Sequence, residues 1–309
     1  MELIRGIHNI RARHFGCVLS IGNFDGVHQG HAAVLAQLKK VSKNMGLAAT
    51  VMTFEPQPKE WFAKSAAPAR LTSLREKIPL LAELGMERTL CVRFNKKFAE
   101  MTAEDFVEQL LVKQLGVKYL VVGDDFCFGK GREGSFDTLK RAGIKHGFEV
   151  VDTNSFKVSE DRVSSTLIRQ ALAQGNLVKA QQLLGHPYRL YGRVSHGEKI
   201  GRTLGFPTAN IHLKRDIPPL LGIVAVKVSI EAGPWLNGVA NIGTRPTVAG
   251  QQILLEAHIF DFNDNLYGKR ICVEIVKKIR DEQPFGSLNE LKIQITKDAK
   301  AARAYLEAL

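Results

Sequence analysis

The amino-acid sequence predicts an α/β protein of two domains, the first built on a parallel sheet and the second on a small β-barrel that ends in a helix. Its 309 residues exceed the ~250 residues at which a single core tends to stop growing. Strand-like and helix-like patterns alternate over residues 1–150, whereas short β-branched runs dominate residues 188–276. We place the domains at 1–184 and 185–309, because Pro187 would end the preceding helix.

The N-terminal part alternates apolar strands with amphipathic helices. Cys17–Ile21 is an apolar run that ends at Gly22, as is typical of a strand covered on both faces. Helical spacing follows in Val34, Leu38, Val41 and Met45, with Gly46 as a helix stop. Further strands are predicted at 48–54, 89–92 and 119–122, and further helices near 74–81 and 106–111, the last with Thr102 as its N-cap. This alternation favours a parallel sheet with helices on both faces.

The C-terminal part has the pattern of a barrel or sandwich, because its short strands follow one another closely between Gly, Pro and Asn. Two strands show the period of two. In the first, one face carries Val224, Val226, Val228 and Ile230. In the second, one face carries Ile253, Leu255, Ala257 and Ile259, and the other carries Leu254, Glu256, His258 and Phe260. Helical spacing then returns in Leu288, Leu291, Ile295, Ala302 and Leu306.

Composition excludes several classes of protein. No run approaches the ~18 consecutive apolar residues of a membrane span, and the N-terminus lacks a signal-peptide pattern, so we expect a cytoplasmic protein with no membrane partner. The four cysteines form no CxxC pair, which predicts neither a disulfide framework nor a zinc site. The net charge of +12 suits an anionic partner, either nucleic acid or phosphorylated small molecules. Charge alone does not decide between them.

A glycine-rich segment with two histidines joins the first strand to the first long helix. Ligands of parallel sheets bind at the carboxyl ends of strands, and a helix N-terminus there offers free N–H groups and a positive dipole to phosphate. Gly22, Gly26 and Gly30 allow close approach of the backbone, while His28 and His31 lie three residues apart and can face one anion. The alternative interpretation is a glycine-rich turn with two exposed histidines.

Residues 28–31 resemble the HxGH signature of the nucleotidylyltransferase superfamily, which is shared with class I aminoacyl-tRNA synthetases. The longer string GNFDGVH at 22–28 resembles the FMN adenylyltransferase domain of bacterial bifunctional riboflavin kinase/FAD synthetases. Three further segments resemble that family in order: TFEPQP at 53–58, GDDFCFG at 123–129 and VSSTLIR at 163–169. The resemblance implies a Rossmann-like domain that transfers an adenylyl group from ATP to FMN. Gln57 is assigned no role.

The reaction that this resemblance implies needs alignment more than acid–base chemistry. The FMN phosphate is largely dianionic at neutral pH, since its second pKa is ~6, and it can attack the α-phosphate of ATP without a general base. By resemblance, His28 and His31 hold the phosphates as catalytic residues. The resemblance also implies a nucleotide-binding set of Gly22, Asn23, Phe24, Asp25, Gly30, Ser164, Ser165, Thr166 and Arg169. The implied flavin-binding set is Phe54, Asp125, Phe126 and Phe128, although the phenylalanines are equally compatible with core positions.

The string at 192–210, which ends in GFPTAN, closely resembles the riboflavin kinase signature, and NIGTRPT at 241–247 agrees with it. Thr208 and Asn210 project from one face of an extended chain, and their oxygens suit Mg²⁺ as a metal site. The alternative is turn chemistry after Pro207. The resemblance implies a nucleotide-binding set for the kinase of Gly192, Lys199, Gly201, Arg202, Gly205 and Pro207.

Glu256 is the candidate catalytic base of the kinase. It interrupts an apolar run, where an unpaired carboxylate is costly to bury, although a solvent-facing strand residue would explain it equally well. The resemblance implies that Glu256 removes the proton of the riboflavin 5′-hydroxyl as this attacks the γ-phosphate of ATP. One departure is Val224, which stands where the family carries a tyrosine, and flavin affinity would change if that position lined the pocket.

We therefore predict a bifunctional enzyme that converts ATP and riboflavin to ADP and FMN, and then ATP and FMN to diphosphate and FAD. Its cofactor is Mg²⁺, its partners are ATP, riboflavin and FMN rather than nucleic acid, and it is a monomer or weak homo-oligomer. One rival keeps the architecture with a single working activity. Another is a basic nucleic-acid-binding protein on a degenerate nucleotide fold, which predicts salt-sensitive binding but shows no RRM, KH or helix-turn-helix signature.

Overall fold

A computed structural model describes residues 1–63, 66–153, 163–197, 200–213, 215, 217–247 and 250–309. The chain forms two compact units. The first consists of Met1–Pro68 and Lys77–Val163, and the second of Ala69–Glu76 and Ser164–Leu309. These units do not divide at residue 185, because the helices that begin at Ser165 pack with the barrel. The functional boundary at 184/185 stays a prediction.

The first unit is built on a sheet of six parallel strands in the order β1-β4-β3-β2-β5-β6. The strands are β1 (Glu2–Arg5), β2 (Cys17–Ile21), β3 (Ala48–Glu55), β4 (Arg88–Arg93), β5 (Val117–Val122) and β6 (Glu149–Asp152). All five residues of β2 are buried: Leu19 packs into one core cluster and Val18 into another on the opposite face. A strand covered on both faces needs the near-continuous apolar run that the sequence shows.

Helices connect these strands. They are α1 (Gln29–Met45), α2 (Pro58–Ala63), α3 (Leu74–Glu83), α4 (Lys96–Ala99), α5 (Ala103–Asp105) and α6 (Phe136–His146), with a π-helical stretch at Phe106–Gln114 after α5. The predicted helix signals are confirmed in two cases. Gly46 ends α1 in the left-handed conformation with φ of 63°, which glycine adopts without a Cβ clash, and the Thr102 hydroxyl accepts from the Asp105 N–H as an N-cap.

The second unit contains a closed barrel in the order β10-β11-β8-β7-β12-β9. Its strands are β7 (Arg189–Ser195), β8 (Ala209–Leu213), β9 (Gly222–Ile230), β10 (Trp235–Thr247), β11 (Gly250–Ile259) and β12 (Arg270–Arg280). The predicted alternation holds, since Val224, Val226 and Val228 lie in the barrel core together with Ile253, Leu255, Ala257 and Ile259. Residues between them face outward, where a second cluster joins Ala225 and Phe260 to the C-terminal helix.

Four helices accompany the barrel: α7 (Ser165–Ala173), α8 (Leu177–Leu184), α9 (Ile200–Thr203) and α10 (Leu288–Glu307). Ile168, Leu172 and Leu184 belong to the same buried cluster as the barrel interior, which explains why α7 and α8 fall in the second unit. Within α10, Ala302 and Leu306 are buried, whereas Leu288 is exposed. In the part of the chain that is described, no helix is both long and apolar enough to cross a bilayer.

Candidate active sites

The two histidines of the HxGH segment meet at the start of α1. His28 is the N-cap of the helix, and its Nδ1 accepts from the His31 N–H at 3.4 Å. The two rings are stacked, with centroids 3.7 Å apart and an angle of 18° between their planes. The structure therefore brings this predicted pair together at a helix end, where free N–H groups and the positive end of the dipole attract phosphate.

His31 is held in its neutral form. Its ring is desolvated, which lowers the pKa of His31 well below the ordinary value, and the nearby His28 and Lys77 lower that pKa further. Its Nδ1 is buried and has no hydrogen-bond partner among the described residues. A neutral imidazole donates through one nitrogen only. At this site the histidine pair can thus donate hydrogen bonds to a phosphate, but the imidazole of His31 brings no formal charge.

The loop between β2 and α1 has a strained backbone, which hydrogen bonds from Lys77 and Thr53 hold in place. Phe24 and Val27 both adopt positive φ, at 46° and 42°, a conformation that costs non-glycine residues about 1 kcal/mol or more each. The Asn23 carbonyl accepts from Lys77 Nζ at 2.5 Å and from Thr53 Oγ1 at 3.3 Å. The Asn23 side-chain Oδ1 is buried and has no hydrogen-bond partner in the part of the chain that the structure describes, so it can accept from a ligand.

The other nucleotide candidates of the first unit lie close around the histidines. Phe24 is buried, with its ring centroid 5.2 Å from that of His31, and Asp25 is buried beside it. A Cβ on Gly30 would lie 3.2 Å from the His28 ring and 3.4 Å from the Val163 carbonyl. A larger residue at position 30 would therefore require the His28 ring to shift by a few tenths of an ångström.

The predicted flavin residues divide into core and surface positions. Phe54 and Phe128 are buried in the sheet core, which fits the alternative interpretation of these rings, and their part in flavin binding stays a prediction. Phe126 is partly buried and stacks on Phe128 with centroids 5.7 Å apart. Asp125 is exposed in the same loop.

Sequence reasoning missed two aromatic residues near Phe54. Trp61 and Phe62 on α2 are exposed, at 39% and 68%, and both rings pack edge-on against Phe94. Phe94 in turn contacts Phe54 with centroids 6.0 Å apart. A signal was available, because an aromatic pair lies three residues after the TFEPQP segment, but an aromatic pair in a short helix is more often core than ligand site.

The segment Ser164–Arg169 belongs to the second unit. Ser164 is the N-cap of α7, with its Oγ accepting from the Leu167 N–H at 3.4 Å. Ser165 and Thr166 occupy the first turn of this helix. Arg169 Nε donates to the Ala69 carbonyl at 2.5 Å. Three hydroxyl groups are thus gathered at a helix N-terminus, the position that suits an anion.

The barrel carries a cavity of about 330 Å³ on its outer face, under α10. Strands β10 and β11 provide its polar wall with Asn241, Arg245 and Glu256. Its apolar lining is Leu204, Phe206, Ile223, Val239, Phe285, Leu291 and Ile295. The cavity is further lined by Arg280, Glu282, Gln283 and Asp298, and its volume and mixed apolar and polar lining are those of a small-molecule site.

Glu256 faces this cavity because its neighbours Leu255 and Ala257 point into the barrel. It is the register partner of Asn210 on β8 and of Asn241 on β10. Its Oε1 accepts from Arg245 Nη2 at 3.0 Å, and both side chains are partly exposed. An exposed pair of this kind contributes about 1 kcal/mol or less to stability, so its main effect is to orient the carboxylate.

The side-chain oxygen atoms near Glu256 are of the kind that binds a magnesium ion. Thr208 lines the cavity, and Asn210 is buried with its Nδ2 donating to the Thr208 carbonyl at 3.3 Å, which leaves its amide oxygen as an acceptor. The Asn241 Oδ1 is buried and lacks a partner within the described segments. Hydroxyl, amide and carboxylate oxygens are the hard ligands that Mg²⁺ prefers. No group of three or more His, Cys, Asp or Glu that could hold a metal occurs among the described residues.

Two sequence profiles match this chain. The profile of the FAD synthetase family matches residues 10–167, and that of the riboflavin kinase family matches residues 184–306. The bifunctional riboflavin kinase/FMN adenylyltransferase of Escherichia coli (strain K12) is 54% identical over 99% of this chain and 98% of its own length. That of Haemophilus influenzae is 49% identical over 100% of both chains.

This chain belongs to the bifunctional riboflavin kinase/FMN adenylyltransferase family. The predicted family, fold class and pair of enzyme activities are thereby confirmed. A crystal structure described as a macrolide-efflux protein from Streptococcus pneumoniae is also similar, with a TM-score of 0.78 and 31% identity over 98% of this chain and 99% of that chain. The efflux description applies to that protein.

Packing or backbone conformation explains three glycines of the riboflavin kinase segment. A Cβ on Gly192 would lie 1.9 Å from Ile211 Cγ2, and one on Gly201 would lie 2.4 Å from the Phe206 carbonyl. Gly205 has a φ of 90°, which favours glycine. These contacts explain the glycines without a nucleotide, so their role in binding ATP stays a prediction.

The remaining kinase candidates are less constrained. Arg202 is exposed on α9, and the Pro207 carbonyl accepts from His258 Nδ1 at 2.9 Å. Lys199 lies outside the described residues. Val224, where this riboflavin kinase domain departs from the family pattern, is fully buried in the barrel core, and the cavity is lined by its neighbour Ile223. An effect of Val224 on flavin binding would therefore have to be indirect.

Proposed function

We propose that the barrel cavity is the riboflavin kinase site and that the HxGH helix start is the FMN adenylyltransferase site. The chain has both activities as a member of its family. The observation that carries the assignment is Glu256, whose carboxylate lies between two asparagines in the wall of a cavity that is otherwise largely apolar. The two histidines at the N-terminus of α1 support the second assignment.

In the kinase reaction, Glu256 acts as the general base. The riboflavin 5′-oxygen forms a bond to the γ-phosphorus, the bond from that phosphorus to the bridging oxygen breaks, and ADP leaves. The hydroxyl proton passes to the Glu256 carboxylate, which Arg245 holds in place. The apolar residues of the cavity receive the isoalloxazine ring.

Thr208 and Asn210 are the protein ligands proposed for Mg²⁺, which neutralises phosphate charge when it is bound. The kinase nucleotide is further proposed to contact residues that the resemblance of their motif supports: Gly192, Lys199, Gly201, Arg202, Gly205 and Pro207. Among the described residues of this set, those of the turn at Gly201–Gly205 lie beside the cavity that Thr208 lines.

In adenylyl transfer, an oxygen of the FMN phosphate forms a bond to the α-phosphorus of ATP, and the bond to the β-phosphate oxygen breaks. Diphosphate leaves, and no proton needs to move. His28 and His31 align the phosphates as hydrogen-bond donors, together with the N–H groups of α1. The desolvated state of His31 supports this role, because a neutral ring keeps its donor over a wide range of pH.

The other adenylyltransferase roles rest on the resemblance of their motifs. Gly22, Asn23, Phe24, Asp25 and Gly30 are proposed to contact the nucleotide from the β2–α1 loop. Ser164, Ser165, Thr166 and Arg169 are proposed as further nucleotide ligands. The flavin contacts are proposed to come from Phe54, Asp125, Phe126 and Phe128, and the exposed rings of Trp61 and Phe62 support an aromatic site in this part of the first unit.

Several wider properties are proposed on the same basis. The enzyme is cytoplasmic, acts as a monomer or weak homo-oligomer, and does not bind nucleic acid. The FMN adenylyltransferase domain is 1–184 and the riboflavin kinase domain is 185–309. The charge of +12 serves phosphorylated substrates.

The test is a product assay on the full chain. Riboflavin, ATP and Mg²⁺ are mixed with the protein and the products are separated over time. We expect FMN to appear first and FAD to follow. FMN without FAD would remove the adenylyl-transfer assignment, and unchanged riboflavin and unchanged FMN in parallel reactions would overturn both assignments.

A further inference from the structure

Lys77 is a buried lysine that neither family motif contains. It lies in α3, its residue is 2% exposed, and it is among the largest fully buried side chains of the protein. Burying an ammonium group is costly unless polar atoms replace its water. A lysine at such a position needs a reason, and the roles proposed for the HxGH residues do not supply one.

The contacts of Lys77 lead to the adenylyltransferase loop. Its Nζ donates to the Asn23 carbonyl at 2.5 Å and lies 3.4 Å from Thr53 Oγ1. Thr53, which is also buried, donates to the same carbonyl at 3.3 Å. The ammonium group thus lies under the carboxyl ends of β2 and β3, at the edge of the sheet where parallel-sheet enzymes bind their ligands.

The loop that Lys77 holds would not adopt its conformation by itself. Phe24 and Val27 have positive φ, and such residues persist only where the surrounding structure fixes them. The Asn23 carbonyl directly precedes Phe24, and both Lys77 and Thr53 donate to it. Asn23 also carries a buried Oδ1 to which no described residue donates, and the loop ends at His28.

We propose that Lys77 is a positioning residue for adenylyl transfer, which holds the Asn23–Val27 loop in place and adds the charge of its ammonium group at the base of that loop. This inference rests on the proposed assignment of adenylyl transfer to the HxGH site. The imidazole of His31 brings no formal charge, and the ammonium group of Lys77 lies close enough to lower the pKa of that ring. Lys77 acts through the loop and through its field, and it is not a ligand of the phosphates.

The experiment compares three full-length variants. Lys77→Met removes both the donor and the charge, and Lys77→Gln keeps an N–H donor without the charge. Thr53→Val removes the neutral donor to the same carbonyl together with the second, longer contact of Lys77. For each variant, kcat and KM for ATP and for FMN are measured in the conversion of FMN to FAD. Riboflavin kinase activity and Tm serve as the folding controls.

We expect Lys77→Met to lower kcat/KM for ATP in adenylyl transfer by about 10- to 100-fold, the effect of losing a hydrogen bond from a charged group. Lys77→Gln should lose nearly as much, with a lower kcat and an unchanged KM for FMN. Thr53→Val should stay within about tenfold of the parent protein, since a neutral hydrogen bond contributes less. Kinase activity should be unchanged in all three variants.

The outcomes separate this inference from the proposed function. If Lys77→Met or Lys77→Gln converts FMN to FAD normally while the double variant His28→Ala, His31→Ala is inactive, Lys77 has no positioning role and the site assignment stands. If the double histidine variant is active, the site assignment itself is wrong. Equal losses in Lys77→Gln and Thr53→Val would reduce Lys77 to a structural support. Loss of both activities in every Lys77 variant would likewise overturn the inference, because the residue would then serve folding.

Discussion

Asn210 and Glu256 are register partners on neighbouring strands of the barrel, and Asn241 lies opposite Glu256 on its other side. Each of the three comes from a different strand, β8, β11 or β10. The carboxylate is therefore flanked by two amides, and the buried oxygen of Asn241 has no partner among the described residues. An unsatisfied buried acceptor costs free energy, so its presence beside Glu256 points to a ligand that completes the set.

Glu256→Gln should abolish the kinase reaction and preserve conversion of FMN to FAD. The amide cannot accept the hydroxyl proton, and loss of a general base lowers kcat by about 10²- to 10⁴-fold. The products of riboflavin and of FMN are measured in separate assays. The control is Glu307→Gln at an exposed position of α10. A folded Glu256→Gln protein that lacks both activities would contradict independent sites.

Replacing both His28 and His31 by alanine should block FAD formation and spare FMN formation. The change removes the stacked rings at the start of α1, which are proposed to align the phosphates. We expect FMN to accumulate from riboflavin with no FAD by chromatography. His146→Ala, on α6 of the same unit, is the control. Retention of FAD synthesis in the double variant would refute the assignment.

Thr208→Val should raise the Mg²⁺ concentration needed for half-maximal kinase activity. The substitution keeps the shape of the side chain and removes one hard oxygen from the proposed ligand set. We expect an increase of about tenfold, in line with the effect of altered metal ligation. Thr296→Val, at an exposed site on α10, is the matched control. An unchanged Mg²⁺ dependence would exclude the Thr208 hydroxyl as a ligand.

His31 should make the protein less stable at acidic pH. Its pKa is lowered in the folded state, so the unfolded chain binds a proton at pH below about 6.5 while the folded chain does not. The free energy of unfolding therefore falls as the pH drops from about 6.5 toward the folded pKa of His31. The measurement is Tm between pH 5 and pH 7 for the parent and for His31→Gln, whose Tm should depend less on pH. Parallel curves would contradict the neutral state of His31.

Arg280→Met should destabilise the second unit by about 3–5 kcal/mol, because it leaves the Asp298 carboxylate buried without its charged partner. In the parent protein, Arg280 Nε and Nη2 donate to Asp298 at 2.7–3.1 Å. The double variant Arg280→Met, Asp298→Leu should recover much of the loss, since no charge stays buried. Urea unfolding of the three proteins measures this. No recovery in the double variant would show that the pair acts through packing instead.

Local patterns predicted the elements of this protein well, and long-range relationships poorly. The helix signals from Val34 to Gly46 and the alternation along β9 and β11 depend on neighbouring residues alone, so the sequence contains them fully. The same alternation made Glu256 conspicuous, and the structure turns it toward the cavity. Neither motif spacing nor periodicity could show that Val224 points inward while Ile223 lines that cavity, because the direction depends on which face the barrel closes around.

Contacts between elements that are far apart in the sequence could not be predicted either. The apolar faces of α7 and α8 are visible as patterns, but nothing local shows that Ile168 and Leu184 pack with the barrel core. Lys77 gave no signal at all, since a lysine in an amphipathic helix is normally solvated. Its burial becomes apparent only when Asn23 and Thr53, far away in sequence, are brought together at the edge of the sheet.

The alternation along β11 has a consequence for folding errors. Successive side chains of a strand point to opposite faces. A shift of β11 by one residue against β8 would therefore place the Glu256 carboxylate in the apolar barrel core, and Leu255 or Ala257 in the cavity wall. Such a shift would remove the Glu256 carboxylate from the cavity and bury its charge in the core. The strand parity that keeps this barrel closed is thus the same parity that keeps its phosphate chemistry possible.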